Sequence, residues 1–344
     1  MLSIWIRWFA AFGAAVLCWP GAAVAACQLK VISEYHVIMD GNDVLVDATV
    51  NGRAVRFRVD MGSSNTIISR LGAEELGLKP HRMSNVTSYG VGGGEVPSEA
   101  MVQDLKIGNA VAHNIDLMVL GQGLRSRRYI GLLGQDFLSQ ADIEFDLANG
   151  AMRIIRPKGC DGDQVVYWKK AYSLASIAPS NDPNVLKVYV LLNGQKAVAE
   201  VDTGAYTSVV TTAMAERAGV TAKTEDVQSV GASAGLAGVP VPTSVAVFPS
   251  FTIGDETIKN ARLRIADLFH ADTKVKIGSL IARGEADFPD MLLGADFVRA
   301  HRIYVARSQG KIYFSYNGGP IFQVLAPRAP EPQAAPEPPA PPKP

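Results

Sequence analysis

Val59-Asp60-Met61-Gly62-Ser63 and Val201-Asp202-Thr203-Gly204-Ala205 are two versions of one motif, 142 residues apart. Working outward, Val50-Asn51-Gly52 recurs as Leu192-Asn193-Gly194 at the same offset. Further on, Leu132-Leu133-Gly134-Gln135-Asp136-Phe137 recurs as Leu292-Leu293-Gly294-Ala295-Asp296-Phe297, offset by 160. The same blocks in the same order mean an internal duplication. The second copy has 18 extra residues, placed mostly between Leu268 and Phe288, where the composition turns polar.

Each copy reads as strand-rich. Val55, Phe57 and Val59 alternate with Arg56 and Arg58, the period of a half-buried strand. Asn51-Gly52 and Asn193-Gly194 favour the positive φ of a type I′ hairpin turn. After each Asp-x-Gly a β-branched run leads to a short helix, expected over 70–76 and 213–218 and closed by Gly77 or Gly219. Tyr89, Gly90, Gly92 and Gly93 in one copy, and Gly231 to Gly235 in the other, read as glycine-rich hairpin flaps. The first does not continue as Gly-x-Gly-x-x-Gly, because Glu95 occupies the last position.

Two aspartates on such loops, facing one another across a pseudo-twofold axis, share a single proton, because carboxylates about 3 Å apart do not both ionise. The ionised member is then a base for water, and the protonated one polarises a carbonyl oxygen. Sequence does not assign either role, since the titration belongs to the pair. Taken singly, each Asp reads rather as a turn carboxylate that caps a local amide; it is the aligned pair in a duplicated frame that reads as catalytic.

These motifs resemble the Asp-Thr/Ser-Gly-Ser/Ala signature of aspartic peptidases. Leu132-Leu133-Gly134 and Leu292-Leu293-Gly294 resemble the hydrophobic–hydrophobic–Gly element that threads behind the catalytic loop. The short lobes are most similar to bacterial retropepsin-like members. The resemblance covers residues 28–325 and implies a mostly β fold: two homologous retropepsin-like acid-protease barrels on the pseudo-dimeric plan of pepsin. It implies Asp60 and Asp202 as the dyad, with Gly62 and Gly204 shaping the loops. Ser63 would orient its carboxylate, and Thr203 would supply half of a hydroxyl–backbone grip between lobes. The flaps would cover an extended peptide or protein substrate. Met61 departs from the pattern, standing where Thr or Ser is expected, so half the grip lacks its hydroxyl. That motivates an alternative: a weakened or inactive peptide- or partner-binding protein of the cell envelope.

The 344 residues are 48% hydrophobic and 19% charged, with 33 Lys and Arg against 33 Asp and Glu. Zero net charge gives no basic excess for nucleic acid, and Arg125-Ser126-Arg127-Arg128 reads as a solvated loop. Five scattered His without His-Glu-x-x-His, and no Gly-x-Ser-x-Gly, point away from zinc and serine hydrolases; no metal or other cofactor is expected. Asp136 and Asp296 read as helix caps rather than acids.

Residues 1–25 read as a signal peptide, with Arg7, an apolar run and Ala23-Val24-Ala25 at the cleavage site. No integral membrane span is expected after cleavage. Cys27 and Cys160 then remain and are expected to pair outside the cytoplasm, in the periplasm or secreted. The competing reading takes residues 24–27 as a lipobox with Cys27 lipidated. The organisation is therefore an N-terminal lobe over 26–157, a linker over 158–180 and a C-terminal lobe over 181–325. A Pro-rich tail follows over 326–344, with nine prolines in 19 residues. One chain supplies both half-sites, so a monomer suffices for the dyad.

Overall fold

The computed structural model describes residues 27–84, 86–121, 124, 126–160, 162–235, 238–269 and 288–322. The expected signal peptide, the Pro-rich tail and most of the 268–288 insertion lie outside these. Among the described residues, no helix is long and apolar enough to cross a membrane.

The protein is mostly β and consists of two homologous lobes. In the first, strands Asp43–Val50 and Arg53–Val59 form a hairpin. Its turn places Asn51 at φ +49° and Gly52 at +78°; Asn193 and Gly194 repeat this at +49° and +79° between Lys187–Leu192 and Gln195–Val201. Two successive left-handed residues make the turn whose twist matches the strands it joins. The short helices form as expected, over Arg70–Glu75 and Thr212–Arg217, capped by the side chains of Ser69 and Thr211.

The Leu-Leu-Gly segments are the strands Gly131–Leu133 and Met291–Leu293. Each threads between two strands, parallel to the one that ends at the aspartate and antiparallel to the one that leaves it. Buried on both faces, such strands read as continuous apolar runs, and Leu133 and Leu293 are fully buried.

A six-stranded antiparallel sheet joins the lobes, in the order Gln28–Asp40, Ala151–Lys158, Asp142–Asp146, His301–Ala306, Lys311–Tyr316, Ser173–Ala178. Its central pairing, Glu144 opposite Tyr304, crosses from one lobe to the other. The last strand falls within the expected linker. Part of 158–180 is a sheet member, because Leu174 and Ala175 pair with Tyr313 and Ile312. Cys27 and Cys160 form a disulfide across 133 positions, tying together the far ends of the first two strands. The lipobox reading is thereby corrected, since the Cys27 sulfur is already bonded.

Candidate active site

Each aspartate sits where its hairpin strand stops, held from behind by the threading strand. Asp60 N–H donates to the Leu133 carbonyl at 3.0 Å, and Asp202 N–H to the Leu293 carbonyl at 2.9 Å. Within each loop the glycine amide returns to the carboxyl: Gly62 N–H to Asp60 Oδ1 at 3.0 Å and Gly204 N–H to Asp202 Oδ1 at 2.8 Å. The loops pack face to face. A Cβ on Gly62 would overlap the Asp202 carboxyl, and one on Gly204 would overlap the Asp60 carboxyl. Each carboxyl therefore lies against the opposite loop's glycine.

Charge breaks the twofold symmetry. Two positions before each aspartate, on the same strand face, stand Arg58 and Glu200. Arg58 Nη2 lies 3.8 Å from Asp60 Oδ2, and Nη1 lies 3.5 Å from Asp43 Oδ1, with the guanidinium over the Tyr129 ring. Arg128 closes the row against Asp43 at 3.3 Å and Asp40, so this arginine of the basic cluster is ion-paired rather than merely solvated. Glu200 faces Lys187 across its ladder. Burial pushes Asp202 well above the usual carboxylate range; the Asp60 and Glu200 charges add to this, and Arg58 opposes it. Neither Arg58 nor Glu200 stands out in the sequence, although aligning the two copies exposes the exchange of sign.

The inter-lobe grip is one-sided. Thr203 Oγ1 accepts from Met61 N–H at 3.0 Å and donates to the Val59 carbonyl at 2.9 Å. Met61 buries its side chain in the core instead. Ser63 is a correction: its hydroxyl donates to the Asn65 carbonyl at 2.7 Å, not to Asp60. That carbonyl is two residues ahead in the same turn, a local acceptor of the kind serine favours.

Asp136 and Asp296 sit in the first turn of short helices whose N-caps are Gly134 and Gly294, so they are not the N-cap residues. Their carboxylates accept the amide and hydroxyl of Thr66 and of Ser208, respectively, and the same hydroxyls accept Gly134 N–H and Gly294 N–H. Each therefore latches the strand leaving an aspartate loop to the threading segment.

Burial pushes Asp296 up to about 6 despite these donors, and burial also raises Asp142. Asp255 is lowered by the Ser173 hydroxyl, but it is a surface group and is screened by solvent. Asp296, Asp142 and Asp202 bind protons more tightly folded than unfolded, so stability falls as pH rises from about 4 through about 6. The melting temperature is expected to be higher at pH 5 than at pH 7. Asp296→Asn should flatten that slope; an unchanged slope would remove Asp296 as a source.

The segment expected as the first flap is a hairpin of Ser88–Gly90 with Gly93–Glu95, where Tyr89 pairs through its backbone with Gly94 and Gly92 takes φ +86°. Its base is anchored by Arg70, which donates to Glu95 Oε1 at 2.9 and 2.6 Å. Its tip reaches the other lobe. Gly92 N–H donates to the Leu268 carbonyl, and Val91 packs on the apolar group of Val209, Val241, Leu268 and Leu292 beside Ala205. Gly235 has no room for a Cβ because the Val91 backbone abuts it. The glycines expected as the second flap lie in a hairpin of Gln228–Ala234 with Pro240–Ile253. Gly231, at φ +90°, lies within an irregular step of the strand Gln228–Ala234, and Gly235 directly follows that strand.

Two duplicated β lobes, each presenting an Asp-x-Gly loop in front of a Leu-Leu-Gly strand, define the acid-protease class in its retropepsin-like, two-lobed form. Residues 46–137 and 188–297 match the family model described as aspartyl protease, and the chain belongs to that family. A curated relative, the "Uncharacterized protein in cobV 5'region" of Sinorhizobium sp., is 30% identical over 97 residues. That match covers 28% of this chain and 40% of the relative's length. Among solved structures, an aspartic proteinase from Irpex lacteus is 14% identical, covering 86% of this chain and 99% of that one, with a TM-score of 0.49. A retropepsin-like aspartic protease from Rickettsia conorii is 22% identical, covering 38% of this chain and 95% of that one, with a TM-score of 0.28.

Proposed function

We propose that this protein is an exported aspartic endopeptidase that cleaves extended peptides with the Asp60/Asp202 pair. The observation that carries the reading is the close approach of the two Asp-x-Gly loops, each carboxyl against the opposite glycine, in oppositely charged surroundings, Arg58 beside Asp60 and Glu200 beside Asp202. A cation stabilises the ionised acid and an anion the protonated one. Asp60 is therefore the base and Asp202 the acid.

Asp60 removes a proton from a water held between the carboxyls, and the water oxygen bonds to the scissile carbonyl carbon. Asp202 gives its proton to the carbonyl oxygen, forming a neutral gem-diol. As the C–N bond breaks, the proton held on Asp60 passes to the leaving amine. The gem-diol returns a proton to Asp202, and the carboxylic acid product departs. A peptide lying as a strand under the first flap presents its carbonyl to the pair through backbone hydrogen bonds. Export is supported by the Cys27–Cys160 disulfide, of the kind that persists in oxidising compartments, together with the signal-like residues 1–25.

The test is cleavage of a diverse peptide pool between pH 3 and 7 by the wild type, Asp60→Asn and Asp202→Asn. Cleavage by the wild type that disappears in both variants is the expected result. Cleavage that survives either substitution overturns the mechanism. Peptide binding without cleavage at any pH favours the second reading, a binding protein of the envelope, for which Met61 in the grip is the motive.

A further inference from the structure

Met61 lacks the hydroxyl that Thr203 supplies, yet its loop is held at a second point. Gln135 Nε2 donates to the Met61 carbonyl at 2.8 Å. Gln135 Oε1 in turn accepts from Arg307 Nη2 at 2.9 Å, and Arg307 Nη1 donates to the Pro183 carbonyl at 3.2 Å. Gln135 is 1% exposed. A carbonyl on one side and a guanidinium on the other leave its amide a single orientation, with nitrogen toward Met61 and oxygen toward Arg307. Arg307 belongs to the second lobe, so the chain of bonds crosses the interface, as the grip does.

The duplication supplies an internal comparison. The counterpart of Met61 is Thr203, that of Gln135 is Ala295, and that of Arg307 is Leu147. Leu147 and Arg307 each open a short turn that closes on a left-handed glycine, Gly150 and Gly310, both at φ +64°. Where the grip hydroxyl is present, the other two positions are apolar and buried. Where it is missing, an amide and a guanidinium appear together.

The geometry points to Gln135 and Arg307 as positioning residues, a cross-lobe strut that holds the Asp60 loop by the Met61 carbonyl in place of the missing half of the grip. Thr203 fixes the N–H of Met61 and the strut fixes its C=O, so both faces of the residue after Asp60 are tied to the second lobe. This rests on the proposed role of Asp60 for its catalytic consequence, but not for its structural one.

The experiment is a cycle of Gln135→Glu, Arg307→Leu and Met61→Thr. Gln135→Glu keeps the size and the Arg307 partner and removes only the donor to Met61. It is expected to raise hydrogen exchange at the Met61 and Gly62 amides about ten-fold or more, and to lower kcat by about 10–100-fold with KM within about three-fold, the signature of a displaced reacting group. Arg307→Leu should do the same, and the two together should do little more. Adding Met61→Thr to either should recover most of both losses, because the restored hydroxyl makes the strut dispensable. Effects that simply add, or losses that are equal with and without Met61→Thr, overturn the strut. If the wild type cleaves nothing, the endopeptidase reading fails while the amide-exchange cycle still decides the strut.

Discussion

Gly204→Ala and Gly62→Ala should each lower kcat for peptide cleavage by about 100-fold or more while leaving a folded protein. Neither glycine is in the left-handed region, so backbone strain is not the cause. The cause is approach: the missing Cβ of each leaves the space in which the opposite aspartate's carboxyl sits. Both obstructing groups are side-chain oxygens and carbons, so the carboxyl turns aside and the structure survives. A displacement of about 1 Å in a reacting group costs on the order of 100-fold in rate. Gly77→Ala is the control, since its φ of +68° carries strain but nothing lies within 4 Å. It should cost about 1 kcal/mol of stability and no activity. Cleavage rates, with thermal melts to confirm folding, check the set. Wild-type kcat in Gly204→Ala would mean that the loops do not meet as described.

Glu144→Ala should produce the largest loss of stability of any single substitution considered, about 3–5 kcal/mol in urea unfolding. Glu144 is fully buried on the strand that pairs across the lobes. It accepts Arg153 Nη1 at 3.0 Å, Arg302 Nε at 2.7 Å and the Tyr167 hydroxyl. The two guanidiniums come from different lobes, and Asp146 stands farther from both, at 3.6 and 3.7 Å. Such a cluster need not be more stabilising than apolar packing of the same volume. Deleting its central anion, however, leaves two largely buried cations with only the more distant Asp146 between them, Arg153 keeping Glu34 at the surface. Glu144→Gln keeps the acceptor oxygen and should cost less. A loss under about 1 kcal/mol for Glu144→Ala would show that the lobes are held together elsewhere.

The features legible from sequence are those written in local pattern. The Asn-Gly turns, the alternating strand before Asp60, the capped helices and the repeated blocks each depend on residues within a few positions of one another. The duplication then multiplies their weight. The two aspartates are legible for the same reason: a motif that recurs in register needs no knowledge of its neighbours. Ser63 departs from its expected role because its hydroxyl has a nearer acceptor in its own turn. The strand Ser173–Ala178 within 158–180 is not legible because it is short and its partner lies more than a hundred residues later.

By itself, the sequence determined a doubled β scaffold with an acid at the same place in each half, because periodicity and turn chemistry act along the chain. Only the tertiary structure decided that Arg58 and Glu200 give the two acids unlike surroundings, and that Gln135 reaches Met61 with Arg307 behind it. It alone decided that Glu144 joins the lobes. Those contacts bring together groups as much as 172 positions apart, and the energy of a charge or a hydrogen bond depends on distance and burial in space, which no stretch of neighbouring residues specifies.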